Sequence, residues 1–255
     1  MKLLFDTDLF IYQVCNTLTY NKDPKDYPPF EHFFHLLLLK QSSYRSLLEK
    51  WFDIKTVNHF ITAKDRSNFR YRVEVDPPYK HNRANQELPH GFYECVEYCQ
   101  RVWKAEMIAG MEADDAIGIA CSEDPQNTIR VSEKDLRMIP GWHYDISVKF
   151  PSPIYVTDPG HLIWCRNKTG VGYVIGWGKK WFYFQMLVGD RADGVGGVPG
   201  IGEKKAFDLL YDVHTLEEME DLVYNKYEKV NLEPLYDKNK QLLWICRSRK
   251  DIPNV

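Results

Sequence analysis

Short apolar runs alternate with longer segments of helical composition along the first half of the chain. Lys2 to Phe5 is a short run that ends at Asp6, and Thr56 to Thr62 and Ile129 to Ser132 are strand-like as well. Phe30 to Trp51, between the first two, is rich in Leu, Phe, Lys and Glu and contains no Gly or Pro. Buried strands separated by helices predict an α/β sheet of mostly parallel strands.

The rest of the chain continues this pattern with more turns. Asn21 to Pro29 contains three prolines and is expected to be a loop. Ile154 to Thr157 and His161 to Cys165, joined across Asp158-Pro159-Gly160, predict a β-hairpin. Met111 to Ala120 places three acids ahead of an apolar helical face. Helices are also expected over Phe92 to Gly110, Trp181 to Val188, Leu216 to Tyr227 and Lys238 to Cys246.

Composition is ordinary for a globular protein and predicts one catalytic domain. The 255 residues carry no long apolar run and no signal-peptide pattern at the start, so we expect a soluble, unexported, cytoplasmic protein, in the host cytoplasm if viral, without a membrane partner. The six cysteines are scattered, and Cys95 and Cys99 lack a second ligand pair, which favours reduced thiols over a zinc site. The net charge of −3 argues against phosphate binding unless the acids converge on bound cations.

Acidic residues follow the predicted strands and begin one helix. They are Asp6, Asp65, Glu133 and Asp135 near strand ends, and Glu112, Asp114 and Asp115 at the helix start. Strand ends of an open α/β sheet meet at the edge where ligands bind, and so many carboxylates need cations to stay ionised together. Oxygen ligands favour Mg²⁺ or Mn²⁺, and a pair of such ions suits phosphodiester hydrolysis. Taken singly, each acid is also compatible with a helix cap or a solvated surface.

Glycines punctuate the segment from Gly197 to Gly202, directly before the helix start Glu203-Lys204-Lys205-Ala206. Glycines let the backbone approach a ligand closely, and N–H groups at a helix start point toward an anion. The pattern predicts a hairpin between helices that grips a DNA backbone without reading its sequence. A glycine-rich linker is the alternative, but Val198 and Ile201 are placed to pack.

Several motifs follow one another in a recognisable order. Leu187 to Asp193 reads Leu-Val-Gly-Asp-Arg-Ala-Asp ahead of the glycine turn, and Tyr79-Lys80-His81-Asn82-Arg83 joins aromatic and basic groups. With Leu3 to Asp6 and Glu112 to Asp115, the chain resembles the 5′ nuclease superfamily, which includes flap endonucleases, the 5′ nuclease domain of bacterial DNA polymerase I and phage 5′-to-3′ exonucleases. The resemblance spans about Lys2 to Leu210, and the compact chain looks most like a stand-alone phage exonuclease.

The resemblance implies a fold and a domain arrangement. Residues 1–180 are expected to form a PIN-like core, a central mostly parallel sheet flanked by helices, with a small arch near residues 79–111. Residues 181–255 are expected to form a helical region with a helix–hairpin–helix DNA clamp, within a single compact unit. The chain departs from the family at Glu133, where Asp is usual, and at Gly194, where Asn is common.

The resemblance also implies roles for individual residues. Asp6, Asp65, Asp114 and, through water, Glu112 are expected to hold one Mg²⁺ or Mn²⁺ ion. Asp115, Glu133, Asp135, Asp190 and Asp193 are expected around a second, with the exact partition open. Lys80 and Arg83 would stabilise charge on the scissile phosphate. Tyr79 would stack on a base, and Gly197, Gly200, Ile201, Gly202, Lys204 and Lys205 would hold DNA, with a monovalent cation such as K⁺ at the turn.

The implied activity is a 5′-to-3′ exonuclease with flap endonuclease capability, acting as a monomer. Its expected substrates are double-stranded DNA with a 5′ end, nick or flap and also RNA/DNA hybrids, as in the removal of RNA primers during replication or recombination. Two alternatives stay open on the sequence alone: a PIN-type ribonuclease, which would not need the duplex clamp, and a non-catalytic DNA-binding protein that kept the clamp.

Overall fold

A five-stranded sheet forms the centre of the molecule, in a computed structural model that describes residues 1–62, 70–81, 87–149 and 151–252. Its strands, in the order β2-β1-β3-β4-β5, are β1 (Lys2–Asp6), β2 (Thr56–Phe60), β3 (Thr128–Ser132), β4 (Gly141–Asp145) and β5 (Pro153–Val156). The first four run parallel and β5 is antiparallel to β4. The predicted mostly parallel sheet is therefore confirmed.

Two small sheets lie outside this one. β6 (His161–Arg166) pairs with β7 (Gly172–Trp177), and β8 (Gly189–Asp190) pairs with β9 (Val195–Gly196), both antiparallel. The helices are α1 (Thr7–Thr19), α2 (Phe30–Leu48), α3 (Arg70–Val75), α4 (Phe92–Val102), α5 (Ala113–Glu123), α6 (Gly178–Val188), α7 (Glu203–Leu210), α8 (Leu216–Glu228) and α9 (Glu233–Leu243). Nowhere in the described ranges is a helix both long and apolar enough to span a bilayer.

Strand β1 shows why helices cover both faces of the sheet. Leu3, Leu4 and Phe5 are all buried, as expected for a central parallel strand. Leu3 and Phe5 pack in a core with α1, α2 and α4, whereas Leu4 faces a second core that extends as far as Ile245. Because successive side chains alternate between the faces, one short strand anchors both layers. The division of the chain at residue 180 stays a prediction.

The predicted hairpin between residues 154 and 165 is wrong, although both strands exist. β5 pairs with β4, and β6 pairs with β7 across the turn at Asn167. The side-chain oxygen of Asn167 accepts hydrogen bonds from the backbone N–H groups of Thr169 and Val171, which closes that turn instead. An apolar pattern identifies a strand but not its partner, and β4 and β7 were not anticipated.

The helix expected over residues 92–110 ends at Val102. Lys104 adopts a left-handed backbone with φ 55°, and the backbone of Glu106 then forms hydrogen bonds with that of His59 in β2 and of Ile61 just after it. The backbone of Glu106 therefore forms hydrogen bonds with the edge of the sheet, whereas in a longer helix the same groups would bond within the helix. The helix expected over residues 238–246 likewise ends early, at Leu243, but begins at Glu233.

His59 on β2 should make stability depend on pH. Burial lowers the pKa of His59 to about 4, whereas an unfolded histidine titrates near ~6.5. Between these values the unfolded chain binds more protons, so the free energy of unfolding falls as pH is lowered, by up to about 1.4 kcal/mol per pH unit. We expect His59→Gln to flatten this dependence in urea unfolding, whereas His35→Gln, at an exposed position, should not. Parallel curves for parent and His59→Gln would contradict this assignment.

Candidate active site

Acids gather beyond the carboxyl end of the parallel strands. β1 ends at Asp6, and the chain passes directly into α1, while the turn after β3 carries Asp135. One small cavity is lined by five of the predicted metal ligands, namely Glu112, Asp114, Asp135, Asp190 and Asp193. The strand ends and the start of α5 thus deliver their carboxylates to the same place, as the sequence pattern predicts.

The pKa of Asp114 reflects the close approach of several carboxylates in this cluster. Burial and the nearby carboxylates of Asp6, Asp135 and Glu112 raise its pKa well above the ordinary value, against the opposing effect of Lys80. Asp6 therefore lies within electrostatic reach of the same group. A carboxylate with so many like-charged neighbours becomes stable in its ionised form when a cation joins them.

Two lysine ammonium groups lie among these acids. Lys80 contacts Glu112 and lies 3.6 Å from an oxygen of Asp193. Lys134 lies 3.1 Å from Asp135 and also contacts Asp190. Although burial works against its charge, Asp135 and Asp190 raise the pKa of Lys134 above the ordinary lysine value. Lys80 was predicted for the site from the sequence, whereas Lys134 was not.

The donor chemistry of the cluster suits a hard divalent cation. Within the described ranges, no three His, Cys, Asp or Glu side chains are arranged to hold a metal ion as they stand. The cluster nevertheless consists of carboxylate oxygens, which Mg²⁺ and Mn²⁺ favour, and ammonium groups partly balance its charge. Metal binding would thus require the ammonium groups of Lys80 and Lys134 to release the carboxylates that they contact.

Asp115 has a different environment from its neighbour Asp114. Its two oxygens accept hydrogen bonds from the Arg72 guanidinium at 2.6 and 2.8 Å. Arg72 also donates to Glu112 at 2.7 Å and to the backbone carbonyls of Leu242 and Trp244. Despite burial, which acts to raise it, Arg72 holds the pKa of Asp115 below the usual range. Both oxygens of Asp115 serve this ion pair, and its role as a metal ligand stays a prediction.

The Arg72 network joins three parts of the chain that are distant in sequence. Arg72 lies on α3, Asp115 on α5, and the backbone N–H of Cys246, beyond α9, donates to Asp115 at 3.1 Å. Arg72 and Asp115 are 1% and 0% exposed, so the pair is fully buried. Sequence reasoning missed this function of Arg72, because its partners lie 43 and about 170 residues away.

Tyr79 lies in the core instead of on the surface. It is 2% exposed, and its hydroxyl donates to Glu112 and Asp193, each at 3.2 Å. The protein already covers the ring in this conformation, so the ring cannot stack on a base as expected. Arg83 and Asp65, also predicted for the site, lie outside the described residues.

Glu133 is not among the described residues that line the small cavity. It lines a larger cleft next to Lys134 and Asp190. Partial burial and the neighbouring carboxylates of Asp135 and Asp145 raise its pKa. Glu133 is thus electrostatically linked to the cluster through Asp135.

The glycine-rich turn is anchored to the end of α6. The backbone N–H of Val198 donates to Leu187 at 2.9 Å, and that of Ile201 donates to Val198 at 3.1 Å. Pro199 followed by Gly200, with φ 76°, suits a tight turn that requires a left-handed residue at its third position. α7 then begins after the exposed Gly202, with Lys204 and Lys205 exposed as well. An exposed helix start beside two lysines can receive an anion.

Neighbouring glycines at this turn should respond differently to an added methyl group. At Gly197 a Cβ would lie 2.4 Å from the carbonyl oxygen of Leu187, whereas at Gly196 it would meet nothing within 4 Å. We expect Gly197→Ala to lower the free energy of unfolding by about 1–3 kcal/mol and to weaken duplex binding. Gly196→Ala should stay within about 0.5 kcal/mol of the parent. Thermal unfolding and fluorescence anisotropy with duplex DNA check this, and equal effects of the two changes would refute the packing argument.

Known proteins resemble this chain in sequence and in fold. No family model matches the sequence. DNA polymerase I of Synechocystis sp. is 34% identical over 172 residues, which cover 62% of this chain but 17% of the polymerase. The exodeoxyribonuclease of Enterobacteria phage T3 is 23% identical over 266 residues, covering 96% of this chain and 78% of the phage protein. The chain thus spans far less than two thirds of the polymerase, but most of the phage enzyme.

Solved structures extend the comparison. The phage T5 5′-exonuclease with bound divalent zinc ions superimposes with a TM-score of 0.60 at 18% identity, over 95% of this chain and 89% of that one. A complex of the T5 flap endonuclease with DNA and metal ions has a TM-score of 0.58 at 16% identity, over 95% of this chain and 88% of that one. Likeness at this level shows that the chains share a fold.

Proposed function

We propose that this chain, which belongs to the 5′ nuclease superfamily, hydrolyses phosphodiester bonds near the 5′ ends of duplex DNA with the help of divalent metal ions. The observation that carries the proposal is the convergence of Glu112, Asp114, Asp135, Asp190 and Asp193 on one cavity, with Asp6 in electrostatic reach. The relatives named exonuclease and the neighbour in complex with DNA support it.

The carboxylates would hold two Mg²⁺ or Mn²⁺ ions. Asp6, Asp65, Asp114 and Glu112 would serve one ion, and Glu133, Asp135, Asp190 and Asp193 the other. Bound ions would act as Lewis acids on the phosphate and neutralise the charge that develops during displacement. Asp115 we assign to Arg72 instead, since both of its oxygens are engaged there. Asp115 would then support Glu112, which shares the same guanidinium.

Lys80 would bind the scissile phosphate. Its ammonium contacts Glu112 and lies near Asp193. With these acids holding metal ions, the ammonium of Lys80 would instead donate a hydrogen bond to a nearby phosphate oxygen. It would stabilise transition-state charge there, with Arg83 as a second donor. Tyr79, whose hydroxyl contacts the same two acids, would keep them oriented.

The turn from Gly197 to Gly202 would hold the duplex at a distance from the cut. Exposed Lys204 and Lys205 and the N–H groups at the start of α7 suit a phosphate backbone. The carbonyl of Gly200, which accepts a hydrogen bond from Lys205 at 3.3 Å, is a candidate ligand for K⁺. Substrates would be duplexes with a 5′ end, nick or flap, including RNA/DNA hybrids left by primers, cut by the monomer.

A comparison of two substrates separates this proposal from a ribonuclease with the same acidic core. In Mg²⁺, we expect a 5′-tailed DNA duplex to be cleaved at least about tenfold faster than single-stranded RNA of the same length, a difference of about 1.4 kcal/mol in barrier. Relative kcat/KM measures it. Preferential cleavage of the RNA would overturn the proposal in favour of the ribonuclease, and binding of the duplex without cleavage would favour a non-catalytic protein.

A further inference from the structure

A cleft of about 870 Å³ lies beside the acid cluster. Its lining includes Glu133 and Asp190 and also Gly202, which precedes α7. The walls come from the turn after β3, the loop after β4, strand β7 and helix α6. Its volume is in the range of pockets that hold small ligands. The cleft thus connects the acids to the glycine turn.

Two side chains that line the cleft each carry a buried polar atom without a hydrogen-bond partner among the described residues. These atoms are Nε1 of Trp181 and Oε1 of Gln185, on side chains that are 5% and 4% exposed. An unmade hydrogen bond at a buried atom is unfavourable, and native proteins satisfy most such atoms. One is a donor and the other an acceptor, so a ligand with both kinds of group would satisfy them. The edges of nucleobases carry both.

The remaining wall suits the other parts of a nucleotide. Tyr173 on β7 is 40% exposed, which leaves ring surface for stacking. Lys149 and Arg191 are exposed at the cleft and bring positive charge for a phosphate. The described residues that line the cleft include four cationic side chains and three acidic ones, so positive charge is in slight excess there; they are Lys134, Arg137, Lys149 and Arg191, and Glu133, Asp190 and Glu203.

Gln185 also connects the cleft to the acid cluster. Its side chain lines both cavities, and its amide nitrogen lies 3.5 Å from an oxygen of Asp135. A group bound to Oε1 in the cleft would therefore fix the amide that faces Asp135. Occupancy of the cleft and the orientation of a site carboxylate are coupled through one side chain.

From these observations we propose that the cleft is a nucleotide subsite, which takes one nucleotide of the substrate strand beside the scissile phosphate. Its base would lie against Tyr173 and bond to Trp181 and Gln185, and its phosphate would face Lys149 and Arg191. As a role in cleavage, the subsite rests on the proposed nuclease function. As a nucleotide-binding site, it can be tested without any cleavage.

The binding test uses the full chain in EDTA with deoxynucleoside 5′-monophosphates and, separately, a 5′-tailed duplex. We expect Tyr173→Ala to weaken binding of both about tenfold, the effect typical of one lost stacking contact. Trp181→Phe removes the donor while keeping a ring, and should weaken monophosphate binding several-fold; because Trp181 packs in the core, binding is measured at a temperature where thermal unfolding shows the variant folded. Tyr20→Ala, at an exposed tyrosine elsewhere, is the matched control and should bind like the parent.

The kinetic test uses the same variants in Mg²⁺. Tyr173→Ala should raise KM about tenfold and leave kcat within about twofold, because it acts on substrate binding. Unchanged monophosphate binding in both Tyr173→Ala and Trp181→Phe would overturn the subsite, even if the parent cleaves DNA normally. If the parent cleaves no DNA but binds the monophosphate more tightly than the two variants do, the subsite is upheld and the nuclease function is refuted.

Discussion

Replacing Asp114 or Asp135 with Asn should reduce Mg²⁺-dependent cleavage of a 5′-tailed duplex by at least about a thousandfold, since loss of metal stabilisation costs several kcal/mol in the barrier. Both carboxylates line the cavity where the acids converge. Asn keeps the shape of the side chain but removes the charge that a divalent ion requires. Single-turnover rates at saturating enzyme measure the effect, and anisotropy in EDTA should show duplex binding close to that of the parent.

Stability gives an independent check on the Asp114 change. Burial and neighbouring acids raise the pKa of Asp114, so its ionised form is unfavourable in the folded protein without metal. Asp114→Asn should therefore leave the metal-free protein at least as stable as the parent near neutral pH. Glu49→Gln, at an exposed acid paired with Arg45, controls for the loss of one charge. Full cleavage by both Asn variants would exclude the assigned metal site.

Replacing Arg72 with Met should lower the free energy of unfolding by about 3–5 kcal/mol, the effect typical of breaking a buried ion pair from one side. Arg72 and Asp115 are fully buried, and the guanidinium is the cation that compensates Asp115. Its loss leaves that carboxylate buried without this partner. Urea unfolding followed by circular dichroism measures the change.

A second substitution tests the explanation for Arg72. Asp115→Asn in the Arg72→Met background removes the buried charge and should restore part of the lost stability. Arg45→Met breaks an exposed arginine–carboxylate pair at 2.8 Å and should cost at most about 1 kcal/mol. If Arg72→Met is no more costly than Arg45→Met, or if the double variant is less stable than Arg72→Met alone, the buried ion pair does not have the proposed role.

The sequence predicted those parts of the site that follow from strand ends and helix starts. Asp6 ends β1, Asp114 lies in the first turn of α5 and Asp135 follows β3, as the local patterns indicate. Parallel strands bring such positions to one edge, so the convergence of these acids did not require knowledge of individual contacts. The helix after the glycine turn was likewise predictable from its local residues.

Contacts between distant segments could not be predicted in this way. The partner of Arg72 depends on how α3 packs against α5, and the contacts of Tyr79 depend on the same packing. The family resemblance implied an aromatic ring at Tyr79 that could stack on a base, whereas the folded chain buries this ring. The predicted pairing of β5 with β6 was wrong for the same reason. These strands are neighbours in sequence but belong to different sheets.

The most direct test of a metal-dependent 5′ nuclease is the position of the first cut. Identical 5′-tailed duplexes, labelled at either the 5′ or the 3′ end of the tailed strand, are incubated with the protein in Mg²⁺ and in EDTA. We expect short 5′-labelled products, stepwise shortening of the 3′-labelled strand from its 5′ side, and no cleavage in EDTA. Short 3′-labelled fragments among the first products, before longer 3′-labelled fragments accumulate, or unchanged cleavage in EDTA, would contradict this expectation.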